Sequence, residues 1–337
     1  MFQNLKINIM KYRVLGKTGY KVSEISIGTW QLGGKWGEPF DKTIAQNTLF
    51  TAVSNGINFF DTADVYKEGQ SEQFCGSFSK STKEKVYVAT KCGRRLNPHN
   101  TEGYNEENIR KFVDDSLKNM EIETIDLLQL HCPPTAVYYR PMVFDILDSL
   151  KDEGKIQNYG VSVEKVEEAL KAIEFPNVST VQIIFNIFRQ RPSELLFEQA
   201  KKKNIGIIVR VPLASGLLTG KFTKDTVFKV GDHRFFNRNG EVFDKGETFA
   251  GVDYEIGLKA VEEIKKVFGN PETLAPYALR WILMFDAVSC IIPGASRVSH
   301  VESNVQASDL KPLSNDQMVQ IQEIYEKYIK KTVHHIW

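Results

Sequence analysis

The chain has 337 residues, of which 42% are hydrophobic and 25% charged, with a formal net charge of +1. This is the make-up of an ordinary soluble globular protein, long enough for a sizeable core. The balanced charge, with no acidic or basic block, argues against nucleic-acid and membrane-surface binding, and no apolar run reaches the length of a membrane span.

Residues 1–10 are too polar and too short for a signal peptide and read as an N-terminal extension. From Tyr12 to Glu24, the turn sequence Gly16-Lys17-Thr18-Gly19 between short apolar runs predicts a β-hairpin. Strand-like runs then alternate with amphipathic helical patterns. The predicted strands are Ser26–Gly28, Asn58–Phe60, Val86–Ala89, Leu127–Leu130, Tyr159–Val161, Val181–Ile183, Ile207–Val209 and Cys290–Ile292. Predicted helices include Ile44–Asn55, Asn105–Met120, Met142–Glu153 and Val163–Ile173. Short runs rich in Val, Ile and Leu suit strands buried on both faces of a parallel sheet with crossover helices. Eight such units fit one closed (β/α)8 TIM barrel better than two open sheets, with the hairpin capping its bottom. The chain is therefore read as a single α/β domain over residues 1–337. Residues 222–252 break the rhythm, and a stretch of that length exceeds the ~12–15 residues beyond which loops are usually functional or disordered. Its phenylalanines argue against disorder, so it reads as a lid or pocket wall after the seventh strand, a mobile surface loop being the alternative.

Four polar residues stand at or just beyond strand ends: Asp61, Tyr66, Lys91 and His131. Polar groups are costly inside a sheet core, so a chain places them where backbone meets solvent and ligand. A carboxylate, a phenol, an ammonium and an imidazole at one rim make a proton-handling site. The free phenol pKa near 10 is too high for ready proton transfer at neutral pH. A neighbouring ammonium lowers it, and Lys91 is the obvious neighbour, with Asp61 fixing Lys91. His131 can hydrogen-bond a substrate oxygen. The competing reading is a structural ion pair beside a buried Tyr and His.

Asp61-Thr62-Ala63-Asp64-Val65-Tyr66, Ala89-Thr90-Lys91 and Leu128-Gln129-Leu130-His131, in this order and spacing, resemble the signature of the aldo-keto reductase family. The likeness runs from Arg13-Val14-Leu15-Gly16 to Ile292-Pro293-Gly294-Ala295-Ser296-Arg297. It implies a barrel that moves a hydride between NADP(H) and a small carbonyl substrate without a metal, with Tyr66 as general acid. It places Thr29 near the nicotinamide ribose and Trp30 in the substrate wall, where rim packing is the alternative for Trp30. Ser162 and Gln182 fall where the carboxamide is bound, although Val163 replaces the usual Asn. The segment from Arg210 through Pro212, Leu213 and Ser215 to Lys221 resembles the pyrophosphate-wrapping run, with Arg210 in place of the aromatic that stacks on the nicotinamide. Gly294, Ser296, Arg297, His300 and Asn304 match the adenosine end, and a hydroxyl with a guanidinium favours NADP over NAD. His300 stands where Gln is common.

The chain is also similar to the cytoplasmic β subunits of voltage-gated potassium channels, so a non-catalytic cofactor-binding module is the second function class. A metal-dependent hydrolase on the same barrel is disfavoured, since no His-x-His or HExxH spacing is present. Cys75, Cys92, Cys132 and Cys290 form no CxxC pair, which points to a reducing, cytoplasmic compartment.

Overall fold

The computed structural model describes residues 10–34 and 38–337, so most of the predicted N-terminal extension lies outside the described residues. Its last residue, Met10, is buried in the main core and packs with the barrel. The predicted hairpin is present: β1 (Tyr12–Val14) pairs antiparallel with β2 (Lys21–Ser23) around a turn at Gly16–Thr18. Eight parallel strands follow in chain order: β3 (Ile27–Gly28), β4 (Phe59–Asp61), β5 (Tyr87–Cys92), β6 (Ile125–His131), β7 (Ile156–Ser162), β8 (Val178–Ile184), β9 (Gly206–Arg210) and β10 (Val288–Ile291). Parallel bridges from Ile25 to Ile291 and from Gly28 to Gly294 join the first to the last and complete the TIM barrel.

The crossover helices are α1 (Lys42–Ser54), α2 (Gln70–Ser81), α3 (Glu106–Met120), α4 (Pro141–Asp152), α5 (Val166–Ala172) and α6 (Leu196–Lys202). α3 shows why these segments are helical. Asn105 caps its first turn by accepting the Asn108 N–H at 3.0 Å, and Ile109, Phe112, Val113, Ser116 and Met120 recur on one buried face. The helix expected from Val163 begins three residues later, at Val166. The Glu168 carboxylate accepts the N–H groups of Glu164 and Lys165, each at 3.0 Å, and so holds the preceding residues as part of the rim.

The 222–252 segment is not structureless. It carries the single-turn helix α7 (His233–Phe236) and tight turns at Lys245–Glu247 and Phe249–Gly251. Phe222, Phe228, Phe249 and Tyr254 cluster beneath the guanidinium groups of Arg234 and Arg238. The remaining helices are α8 (Tyr254–Val267), α9 (Ala275–Leu283), α10 (Val298–Asp309), α11 (Asn315–Tyr328) and α12 (Lys330–Val333).

Side chains alternate between the barrel interior and the helix layer. The inner apolar cluster at the bottom contains Leu15 and Val22 of the hairpin together with Phe59, Ala89, Leu127, Ile208 and Cys290. Two residues further along four of these strands the inward position turns polar: Asp61 after Phe59, Lys91 after Ala89, Gln129 after Leu127 and Arg210 after Ile208. The hairpin thus plugs an apolar floor, and the C-terminal ends of the strands carry the buried polar side chains.

Candidate active site

A cleft of about 980 Å³ opens at that end of the barrel. Asp61, Tyr66 and His131 line it, and Lys91 stands directly behind them with 1% of its surface exposed. β4 and β5 are neighbours in the sheet, which sets Asp61 beside Lys91. The Lys91 ammonium donates to Asp61 Oδ1, to the Thr62 carbonyl at 2.8 Å and to the Tyr66 hydroxyl at 3.2 Å. The other Asp61 oxygen accepts from Gln129 at 3.0 Å and from Gln182 at 2.8 Å, so this buried ion pair is fully hydrogen-bonded.

The rings of Tyr66 and His131 meet edge to face, 6.0 Å between centroids. Burial lowers the Lys91 pKa, but Asp61 and Tyr66 outweigh it and keep the ammonium charged. Burial raises the Tyr66 phenol, the Lys91 charge opposes it, and Asp61 adds to the rise, so the net direction is upward. Burial and the charges of Arg94, Lys91 and Arg210 hold His131 well below the usual imidazole range. It is therefore neutral and able to donate one N–H, and its Nδ1 is buried with no hydrogen-bond partner among the described residues.

A second network borders the first. Arg210 donates to the Val163 carbonyl at 3.0 Å and to Glu164 at 2.8 Å, and lies 3.4 Å from Glu247. Arg94 donates to Glu164 at 3.1 Å and to Glu247 at 2.9 Å. Cys132, Glu164 and Glu247 come within 4.8 Å of one another, a spacing that could suit a metal, but both carboxylates are taken up by these guanidinium groups. Burial pushes the Cys132 thiol up to about 12 and raises Cys92 well above the usual thiol range, which keeps both protonated and inert.

Thr29, Trp30, Ser162, Gln182, Arg210, Pro212, Leu213, Ser215, Lys221, Gly294, Arg297, His300 and Asn304 all line the cleft. Ser296 is not among the lining residues; its hydroxyl lies 3.4 Å from His300 Nδ1. Arg297 Nε donates to His300 Nε2 at 3.1 Å. The Ser215 hydroxyl donates to the Glu247 carbonyl at 2.8 Å and accepts from the Phe249 N–H at 3.2 Å, so it ties down the 222–252 segment. Trp30 packs edge-on against His233, ring centroids 4.8 Å apart, and burial pushes that imidazole down to about 4. Phe222, His233, Arg234, Val242, Phe243 and Glu247 place the 222–252 segment in the cleft wall, as expected of a lid or wall.

The walls suit an anionic dinucleotide. Val211, Ala214 and Ser215 adopt left-handed φ of 50°, 47° and 54°, a costly conformation for residues with a Cβ, followed by Gly216 at 95°. Such turns form backbone anion cradles. Across the cleft, the first turn of α10 receives no side-chain cap, leaving N–H groups beside Arg297. Lys221, Arg234 and Arg297 add charge to the same walls.

Several lining or supporting residues were missed in the sequence. Gln129 was legible, since it lies two residues before His131 on a buried strand and so shares its face. Arg94, Glu164, Arg234 and Glu247 follow strands or sit in loops, where no periodicity marks them.

The sequence profile of the Aldo/keto reductase family matches residues 24–326. An NADH-specific methylglyoxal reductase of Escherichia coli is 28% identical over 318 residues, 89% of this chain and 94% of its own. A probable voltage-gated potassium channel β subunit of Arabidopsis thaliana is 29% identical over 315 residues, 90% and 93% of the two chains. Among solved structures, the holo form of an aldo-keto reductase from Bacillus halodurans superposes with a TM-score of 0.75 at 26% identity, covering 94% of this chain and 96% of the other. With the profile spanning nearly the whole barrel and the strand-end motifs gathered in one cleft, this chain belongs to the aldo/keto reductase family.

Proposed function

We propose that this protein reduces an aldehyde or ketone to the alcohol, with NADP(H) as the hydride source. The observation that carries the reading is Lys91, whose ammonium joins buried Asp61 to the Tyr66 hydroxyl in the wall of the cleft. Tyr66 gives its proton to the carbonyl oxygen, and the adjacent Lys91 charge stabilises the phenolate left behind. Neutral His131 donates an N–H to the same oxygen and orients it. Asp61 and its two glutamine donors hold Lys91 in place. Ser162 and Gln182 stand where a carboxamide can be bound, and Arg210 offers a flat cation beside them.

Tyr66→Phe keeps the ring and removes the proton. Its kcat should fall by at least the ~10²–10⁴-fold range of general acid–base catalysis, while NADPH affinity by fluorescence titration stays within error. Wild-type reduction rates in that variant would refute Tyr66 as the donor.

The preference for NADP(H) over NAD(H) rests on Lys221 and Arg297 at the cleft wall. Arg297→Ala should weaken NADPH binding by about 1.5–3 kcal/mol, the worth of a charge-assisted hydrogen bond, and leave NADH nearly unchanged. Equal weakening of both would count against a 2′-phosphate contact, and the E. coli relative, named as NADH-specific, makes that outcome informative.

The likeness to a plant channel β subunit favours a second reading, a cofactor-binding regulatory barrel. That reading gains if NADPH binds but no aldehyde, ketone or sugar is turned over.

A further inference from the structure

Trp337 is far from the strand-end motifs in sequence and is not among the lining residues of the cleft, yet it is 96% removed from solvent, with only 4% of its surface exposed. Its indole N–H donates to Asp244 Oδ1 at 2.9 Å, and the same oxygen accepts the Gly246 N–H at 2.7 Å. Two glycines make room for it. A Cβ on Gly246 would lie 3.0 Å from the indole and 2.0 Å from the Arg189 guanidinium; one on Gly251 would lie 2.4 Å from the indole. Gly251 also holds a left-handed φ of 81°, which a side chain resists. The ring also carries Arg189, whose guanidinium sits 4.1 Å from the ring centroid and donates to the Glu164 carbonyl at 2.7 Å.

The segment gripped between Asp244 and Gly251 contains Glu247, the carboxylate shared by Arg94 and Arg210 in the cleft wall. The backbone hydrogen bonds of this stretch are local turn contacts, such as Glu247 N–H to the Asp244 carbonyl and Gly251 N–H to the Thr248 carbonyl, so its position against the barrel depends on side-chain anchors. We propose that Trp337 is a positioning residue of the active site: its indole clasps residues 244–251 and so sets where Glu247 stands against Arg94 and Arg210. This rests on the cleft being the substrate site. Simple core filling would require only an apolar ring of similar size. The directional N–H bond and the two cleared glycines act on the loop that lines the cleft, and Arg189 links the ring to the backbone of Glu164, whose carboxylate shares Arg94 and Arg210 with Glu247.

Two variants and two readouts test it. Trp337→Phe keeps a ring and removes the N–H; Trp337→Ala removes the clasp. Tryptic cleavage at exposed Lys245 reads loop opening without any turnover, and so stays decisive even if the reductase reading fails. In the native enzyme, Trp337→Phe should speed that cleavage by about fivefold, as expected for loss of one modest hydrogen bond. Trp337→Ala should speed it further. The carbonyl substrate KM should rise with kcat nearly unchanged, because the chemistry at Tyr66 and Lys91 is untouched. If Trp337→Ala does not fold, Trp337→Phe decides alone. Cleavage at the wild-type rate in the folded variants overturns the clasp. Faster cleavage with an unchanged KM overturns its positioning role.

Discussion

Lys91 and Asp61 meet on adjacent strands, whereas Arg94, Arg210, Glu164 and Glu247 meet across strand ends, loops and the 222–252 segment. In the first network the ladder of β4, β5 and β6 dictates where each charge stands, and two buried glutamines complete the carboxylate. In the second, one carboxylate hangs on a loop tied down by Ser215 and Trp337, and each guanidinium has more than one acidic partner. Under the proposed mechanism the ammonium serves proton transfer from a phenol, and such a charge belongs on a rigid lattice because a small displacement would change that transfer. A charge that shapes the cleft wall can sit on a segment able to adjust.

The difference should show first as stability. Lys91→Met leaves the buried Asp61 carboxylate with only amide donors, and breaking a buried pair in this way costs about 3–5 kcal/mol. Adding Asp61→Asn removes the stranded charge and should recover a large part of that loss in urea unfolding. A double variant no more stable than Lys91→Met alone would show that the pair is not coupled as its geometry implies.

Arg210→Met should cost less, about 1.5–3 kcal/mol for lost charge-assisted hydrogen bonds, because Arg94 remains beside both Glu164 and Glu247. Urea midpoints for the two single variants, measured side by side, test the contrast directly. Equal losses would mean that the second network is as unforgiving as the first and that redundancy does not protect it.

Legibility in the sequence follows the same division. The eight strands and the hairpin were readable because buried parallel strands leave short apolar runs and turns leave Gly-rich punctuation. Asp61, Lys91 and His131 were readable because they interrupt those runs at their ends. Glu247 and Arg94 were not: each is an ordinary charged residue in an irregular stretch, and its partner is defined only once the barrel has brought residues 94, 164, 210 and 247 together. The 222–252 segment was recognised by length and phenylalanine content, yet its internal turns depend on contacts with Ser215 and Trp337 that no local pattern records. Val163 explains why α5 was misjudged, since an apolar residue after Ser162 looks like a helix start when Glu168 in fact pins that stretch as rim.

The smallest expected effect concerns two carboxylates three residues apart. Asp61 is matched by an ammonium and two amides, whereas both Asp64 oxygens are buried without a hydrogen-bond partner of good geometry among the described residues. Burial raises the Asp64 pKa, nearby Glu72 raises it further, and Arg95, the Val65 N–H and Lys91 only temper this, leaving it at about 7. In the unfolded chain the same group titrates near 3.8. Between those values the folded protein holds a proton that the unfolded chain has released, so stability falls as pH rises through this window. The cost of the buried charge is absent below about pH 4 and complete above about pH 7. Asp64→Asn removes the titrating group while keeping the shape. Its thermal midpoint should be higher than wild type at pH 8, with a gain of at least about 1 kcal/mol, and nearly equal to wild type at pH 4, where the wild-type group is protonated in both states. A gain of the same size at both pH values would show that Asp64 is not the group titrating there, and that its unpartnered oxygens are destabilising in either protonation state.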